Sequence, residues 1–355
     1  MTTVRRTEAA IPPEDPALHF IRLELAPSAQ RWIATLGFTG LALIGVLATV
    51  TFHIPYPVLV FAGILLLTVP PTNRPFHQAA EATGAAFLGA GFAILLAATT
   101  YDQPWLYLPL QCAALTGLLV LSRITAARAA FILAALVLSF AEPAYLPDPQ
   151  GATDAALFNA LALAGTAWAV ATATAPFPPP ATREEAPVSP GRRELVGFAM
   201  LALSAIGLQM LFHNTINLPE IRTGVIAVLL TADADLRAVW RRMPLRQLCA
   251  ASCAALALLM VAIGAPLMDD LGFFALLAAG CYFAAGWVAH GPRIAFAAVP
   301  GAVTVTLVLL LDIRFTIDIV PSLLNVAGAM WGFLVTALIA LLLAPFLEHQ
   351  RERQS

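Results

Sequence analysis

The sequence predicts an all-α, polytopic membrane protein of about 12 transmembrane helices, arranged as two parallel six-helix repeats. Three observations carry that expectation: composition, the spacing of the apolar runs, and the placement of arginine. Charged residues make up 11% of the chain and hydrophobic ones 60%, and the mean hydropathy is +0.82. Soluble domains carry about 25% charged residues. The apolar residues also come in long uninterrupted runs instead of alternating with a polar face at helical spacing.

Taken in order, the first 31 residues contain no apolar core followed by a small-residue cleavage site, so no signal peptide is expected. The stretch His19-Phe20-Ile21-Arg22-Leu23-Glu24-Leu25 reads as a segment on the cytoplasmic face. Six apolar runs follow, at 32–52, 55–69, 79–99, 105–121, 129–146 and 155–175. Six more lie at 195–212, 217–231, 247–266, 271–289, 294–311 and 320–345. Between the sets is a polar, proline-rich linker with Pro178-Pro179-Pro180 and Glu184-Glu185. The expected layout is a cytoplasmic segment 1–31, a first half 32–175, a cytoplasmic linker 176–193, a second half 194–346 and a cytoplasmic tail 347–355.

Orientation follows from the 19 basic residues, all of them arginine. With the N-terminus inside, only Arg222 and Arg314 fall on the outer side. Positive charge is retained on the cytoplasmic side of a membrane, so both termini and the linker are expected there. The halves also pair as copies at a nearly constant offset: His53 with His213, Arg128 with Arg293, Asn159 with Asn325 and Trp168 with Trp331. An even number of spans per half makes such a repeat parallel.

The runs at 55–69 and 217–231 fall short of the ~20 apolar residues an ordinary span needs. Each is entered through proline and polar groups: Phe52-His53-Ile54-Pro55-Tyr56-Pro57 in one, His213 to Arg222 in the other. Short, proline-interrupted segments at matching positions of two halves point to a transporter's substrate site. Arg222 breaks the charge rule, and its planar guanidinium suits a substrate carboxylate. Glu220 is its partner or a proton carrier, and Tyr56 is the matching polar ring of the first half. An imidazole titrates near neutral pH, so His53 and His213, with Glu81, are the candidates for proton coupling; the alternative for both histidines is a helix end facing the outer surface. Glu81 also stands within reach of Arg74 and His77 as a local helix-end pair. Asp233, Asp235, Arg237, Arg241, Arg242 and Arg246 read as a cytoplasmic charge cluster that sets topology and touches lipid headgroups.

Other positions read as structural. Cys112, Cys249, Cys253 and Cys281 sit in apolar runs as small residues at helix contacts, with no further ligands nearby for a metal. Gly328, Gly332 and the Gly84, Gly89, Gly91 group permit close helix approach. Trp105, Tyr107 and Tyr145 lie where interfacial aromatic residues are expected. The chain lacks a phosphate-binding glycine loop, a metalloprotease helix and a nucleophile elbow, so no enzyme activity, cofactor or metal is expected.

The pattern resembles the fusaric acid resistance family, which includes aromatic carboxylic acid exporters. The resemblance rests on Arg31-Trp32 leading the first span, the short proline-bearing second segment, Arg74 before the glycine-rich third span (Gly84 to Gly91), and recurrence of the six-span block. It covers most of residues 28–346. Many members carry a large cytoplasmic domain where this chain has only 176–193, and Tyr56-Pro57-Val58 replaces a tryptophan-alanine pair. The resemblance implies a bacterial inner-membrane exporter of small organic, aromatic or drug-like compounds, driven by proton motive force. It also implies a periplasmic adaptor (membrane fusion) protein and an outer-membrane channel as partners. Nucleic acid is not an expected partner, and homo-oligomerisation stays open. The alternative is a non-transporting membrane scaffold, in which the second and eighth segments are buried in helix contacts. A major-facilitator-type carrier ranks lower, because Pro70-Pro71-Thr72-Asn73-Arg74 does not supply that family's charged loop.

Overall fold

The computed structural model describes residues 26–52, 57–69, 73–125, 127–140, 149–176, 191–216, 223–264, 271–291, 295–311 and 320–352. Among these no strand occurs. Twelve α-helices are described: α1 (Ala29–Phe52), α2 (Pro57–Thr68), α3 (Pro75–Thr100), α4 (Tyr107–Ile124), α5 (Arg128–Ser139), α6 (Pro149–Thr174), α7 (Arg192–Ile216), α8 (Thr223–Thr231), α9 (Leu236–Gly264), α10 (Leu271–Ala289), α11 (Ala295–Leu311) and α12 (Val320–Glu352). Eight of them, α1, α3, α4, α6, α7, α9, α10 and α12, are long and apolar enough to cross a membrane. The chain is a multi-pass membrane protein.

The described helices overlap the twelve apolar runs, and the described parts of four of them, α2, α5, α8 and α11, are shorter than 18 residues. The fifth and eleventh runs were not expected to be short. These four helices are the most enclosed part of the molecule. Leu59 to Leu65 of α2, Ile132 to Ser139 of α5, Thr223 to Leu229 of α8 and Pro300 to Thr306 of α11 are buried without a break. The span windows of the long helices are only 28–50% buried and turn Leu, Ile and Phe outward. A helix that is apolar all round belongs in a core, and one with an enclosed stripe belongs at its edge. Short helices are thus surrounded by long ones.

Packing between the helices has a regular plan. Helix α3 lies against α5 and α6, as α9 lies against α11 and α12. Helix α2 packs on α1 and α6, and α8 packs on α7 and α12. Between the two runs of six, α4 meets α7 while α10 meets α1, and α2 meets α11 while α5 meets α8. Glycine permits the closest crossings. A Cβ on Gly89 would collide with the Ala134 carbonyl oxygen of α5, and one on Gly301 of α11 would lie 2.8 Å from Cys253 Sγ and 3.0 Å from Cys249 Sγ. Those cysteines therefore act as packing groups. Gly84 and Gly91 meet nothing within 4 Å, so that part of the expected close approach is absent.

Local chemistry explains the helix ends. Ser28 Oγ accepts from the Arg31 amide at 3.1 Å, and Glu194 Oε2 accepts from the Gly191 amide at 3.1 Å. Asp235 Oδ1 accepts from the amides of Arg237 (3.0 Å) and Ala238 (3.1 Å), an N-cap that starts α9 at Leu236 instead of 247. Helix α12 likewise continues past Pro345 to Glu352. Within the helices, Thr39, Thr68, Thr83, Thr100, Thr166, Thr304, Thr306 and Thr336 return their hydroxyls to the carbonyl four residues back. Where water is absent, such internal pairing satisfies the polar group.

Candidate functional site

Helix α8, with the sequence TGVIAVLLT, is apolar around its whole circumference. Its nine residues rise only ~14 Å, against a hydrocarbon core of ~30 Å. Glycines bring it into backbone contact with α12: a Cβ on Gly332 would collide with the Gly224 carbonyl, and one on Gly224 would stand 2.7 Å from Gly328 O and strike the Gln209 side chain. The Thr223 hydroxyl donates to Asn325 O at 2.7 Å.

The other end of α8 is held by two arginines. Arg246, inside α9 and 7% exposed, donates to Thr231 O at 2.9 Å. Arg123, in the last turn of α4, donates to Ala232 O and lies 3.4 Å from Asp233 Oδ1. Its guanidinium stands 5.0 Å over the Phe198 ring of α7, while Arg246 stands 5.7 Å over Phe296 of α11. A helix C-terminus carries roughly half a negative charge, so two guanidinium groups there satisfy both the orphan carbonyls and the dipole. One carboxylate against two cations leaves the cluster positive. The Nε atoms of both arginines have no hydrogen-bond partner among the described residues.

A third arginine closes a different crossing. Arg31 Nε donates to Trp287 O at 3.0 Å, and its guanidinium lies 4.5 Å over the Trp287 ring. Trp32 meets Trp287 and Phe283 at 5.0 and 5.4 Å. Just past α10, His290 Nδ1 shares a 2.7 Å hydrogen bond with Gly286 O, and its ring faces Phe38 of α1 at 6.4 Å. Burial, helped by the positive charge of Arg31, holds the imidazole below its usual range despite the carbonyl bond. At the centre, buried Tyr282 stacks on Phe61 at 5.0 Å and lies within hydrogen-bond distance of Thr306 (3.2 Å).

An apolar cavity of about 260 Å³ opens between α1, α2 and α6. Ile44, Gly45 and Phe52 line it from α1, Ile64 from α2, and Gly165 and Thr166 from α6.

Of the residues expected to form a site, Arg222, Glu220, Tyr56 and His53 lie outside the described residues, as does the side chain of His213 on α7. Glu81 Oε1 lies 3.4 Å from His77 Nδ1 one turn away, with its side chain 38% exposed. The expected cytoplasmic charge cluster is differently arranged. Arg237, Arg241, Arg242 and Arg246 belong to α9, Asp235 is a cap, and Arg246 faces the protein interior instead of lipid headgroups. Tyr107 is buried, unlike the exposed Trp105, and so is not an interfacial ring. Asn159 and Asn325 are both buried. The Asn159 side-chain oxygen has no partner among the described residues, and Asn325 is met through its backbone oxygen. In the sequence Arg123 reads as a topology signal, and Arg246 as part of a cluster that sets topology and touches lipid headgroups. No sequence signal joins Arg123 to the end of α8; Arg246 alone belongs to the arginine-rich stretch that follows it. Comparison with family models, curated proteins and solved structures finds no match to this chain.

Proposed function

We propose that the chain is a bacterial inner-membrane efflux transporter for small organic acids, aromatic ones above all, or drug-like compounds, driven by proton motive force. The observation that supports this reading is the core of four short helices, at the second and fifth places of each run of six, enclosed by eight helices of span length. Helices that end within the membrane region free backbone groups, and carriers use such broken elements around a central substrate site.

The twelve helices are read as two parallel six-helix repeats. Shifting each helix number by six maps the packing plan onto itself, and equivalent positions carry related contacts. Phe38 and Phe198 are both buried in the first helix of their half, and each is faced by a basic side chain at the C-terminal end of the fourth helix of the other half, His290 just past α10 or Arg123 in the last turn of α4. Alternating access then consists of one half rocking against the other across the α2–α11 and α5–α8 contacts. Arg222, with Glu220 and Tyr56, binds the substrate carboxylate, and His53, His213 and Glu81 carry the coupled proton. The periplasmic adaptor and outer-membrane channel follow from the family resemblance, as does outward direction.

The test is export of a panel of aromatic acids by cells expressing the chain, with and without its adaptor. Arg222→Ala is expected to abolish export of an anionic substrate at unchanged protein abundance. Undiminished transport by that variant removes Arg222 from the site. A second reading, a non-transporting scaffold, is favoured by the burial of α2 and α8 in helix contacts. It predicts that no compound's accumulation changes on expression.

A further inference from the structure

The cavity between α1, α2 and α6 has an informative counterpart. In the second half, the equivalent elements are α7, α8 and α12, and there Phe212 of α7 packs on Trp331 of α12 with ring centroids 5.0 Å apart. The Trp331 indole Nε1 is buried with no hydrogen-bond partner among the described residues, so an entire fused aromatic ring fills that space by shape alone.

The matching residues of the first half can be identified by register. Asn159 pairs with Asn325 by sequence; a Cβ on Gly63 of α2 would strike Leu163 of α6 (2.6 Å) and touch Thr166 (3.5 Å), in the same stretch of the last helix where Gly332 meets Gly224 of α8. The same offset sets Gly165 opposite Trp331, in place of the Trp168 expected from sequence. Gly165 lines the cavity, and a Cβ built on it meets nothing within 4 Å. Phe52, the counterpart of Phe212, also lines the cavity and is 68% exposed. The first half thus retains the phenylalanine platform and the space, and lacks only the indole. The lining is aliphatic apart from Phe52 and Thr166. At about 260 Å³ the cavity falls below the ~300–1,000 Å³ of drug-sized sites.

We propose that this cavity is a binding site for a small fused-ring aromatic compound, its ring packed against Phe52 as Trp331 packs, tilted by 31°, against Phe212. The site faces the bilayer side of α1, through Ile44 and Phe52, so an aromatic solute partitioned into the membrane reaches it laterally. This rests on the duplicated layout and gives the proposed carrier an aromatic subsite separate from Arg222.

The experiment is equilibrium binding of radiolabelled indole to the full chain in nanodiscs, with three variants. Wild type is expected to bind one indole per chain. Gly165→Trp rebuilds the indole of the other half, and it is expected to weaken binding at least tenfold without lowering the thermal midpoint. Phe52→Ala weakens it severalfold. Trp331→Gly opens the second slot and raises the stoichiometry to two. Unaltered affinity in both Gly165→Trp and Phe52→Ala, or no saturable binding by folded wild type, overturns the site; the latter result also leaves a lipid chain as the occupant. One site in Trp331→Gly, with the other results as expected, overturns the duplicated register that the site is argued from. Failure of aromatic acid export with binding intact rejects the transporter reading alone.

Discussion

At the scale of single residues, the arginines decide most. An ionised side chain within a span costs about 2.5–3.5 kcal/mol on insertion scales, and Arg246 offsets that by closing the α8 carbonyl end. A hydrogen bond to a charged group contributes about 1.5–3 kcal/mol, so Arg246→Ala should lower unfolding free energy by that amount. A thermal melt in detergent reads this, and an unshifted midpoint would show that the cap is idle. His290 gives a pH dependence of defined sign. Its folded-state pKa is depressed, so the unfolded chain binds the proton more readily and stability rises with pH. The loss begins as pH falls through the ordinary histidine value of about 6.5. Melts between pH 7.5 and 5.5 should show a falling midpoint in wild type and a flatter profile in His290→Gln.

At the scale of elements, the α8–α12 crossing is the tightest constraint on the short helix. Gly224, Gly328 and Gly332 remove side chains where the two backbones touch. Adding a methyl to a filled interface costs about 1–3 kcal/mol, so Gly332→Ala should destabilise the protein by that order. Gly84→Ala is the matched control. It meets open space, and replacing a helix-interior glycine there should gain about 0.5–1 kcal/mol. Equal midpoints for the two variants would dissolve the distinction between packed and open glycines.

At the scale of the whole molecule, the eight long helices supply the surface that meets lipid and share the core with the four short ones, which are enclosed by it. This division explains why leucine and phenylalanine are exposed in such number: their environment is hydrocarbon, not water. The orientation drawn from arginine has a direct check. A reporter fused at Arg183 or after Ser355 should signal from the cytoplasm, and one inserted at Asp102, between α3 and α4, should signal from the opposite side. A signal from one side at all three positions would break the proposed topology.

Helix positions were legible because apolar runs record burial or lipid contact residue by residue, and a run such as 271–289 coincides with α10 to both ends. The 79–99 run and the 195–212 run likewise fall inside α3 and α7. Helix ends were less legible. Asp235 capping α9 twelve residues ahead of the apolar run is a hydrogen-bond event, and hydropathy does not register it. Of the candidate site, the sequence marked α8 as short and flanked by charge, yet it could not say that Arg123 and Arg246 meet at its end. Those two residues lie 123 positions apart in a chain whose long-range neighbours are chosen by helix packing. By itself, then, the sequence determined the all-α membrane class and the run of apolar helices, because transfer from water to hydrocarbon is a property of each residue. Only the tertiary structure decided which helices are core and which arginines are buried. It also decided that an apolar cavity opens beside Phe52 and Gly165 and that Trp331 packs on Phe212, because those outcomes depend on what each helix face meets.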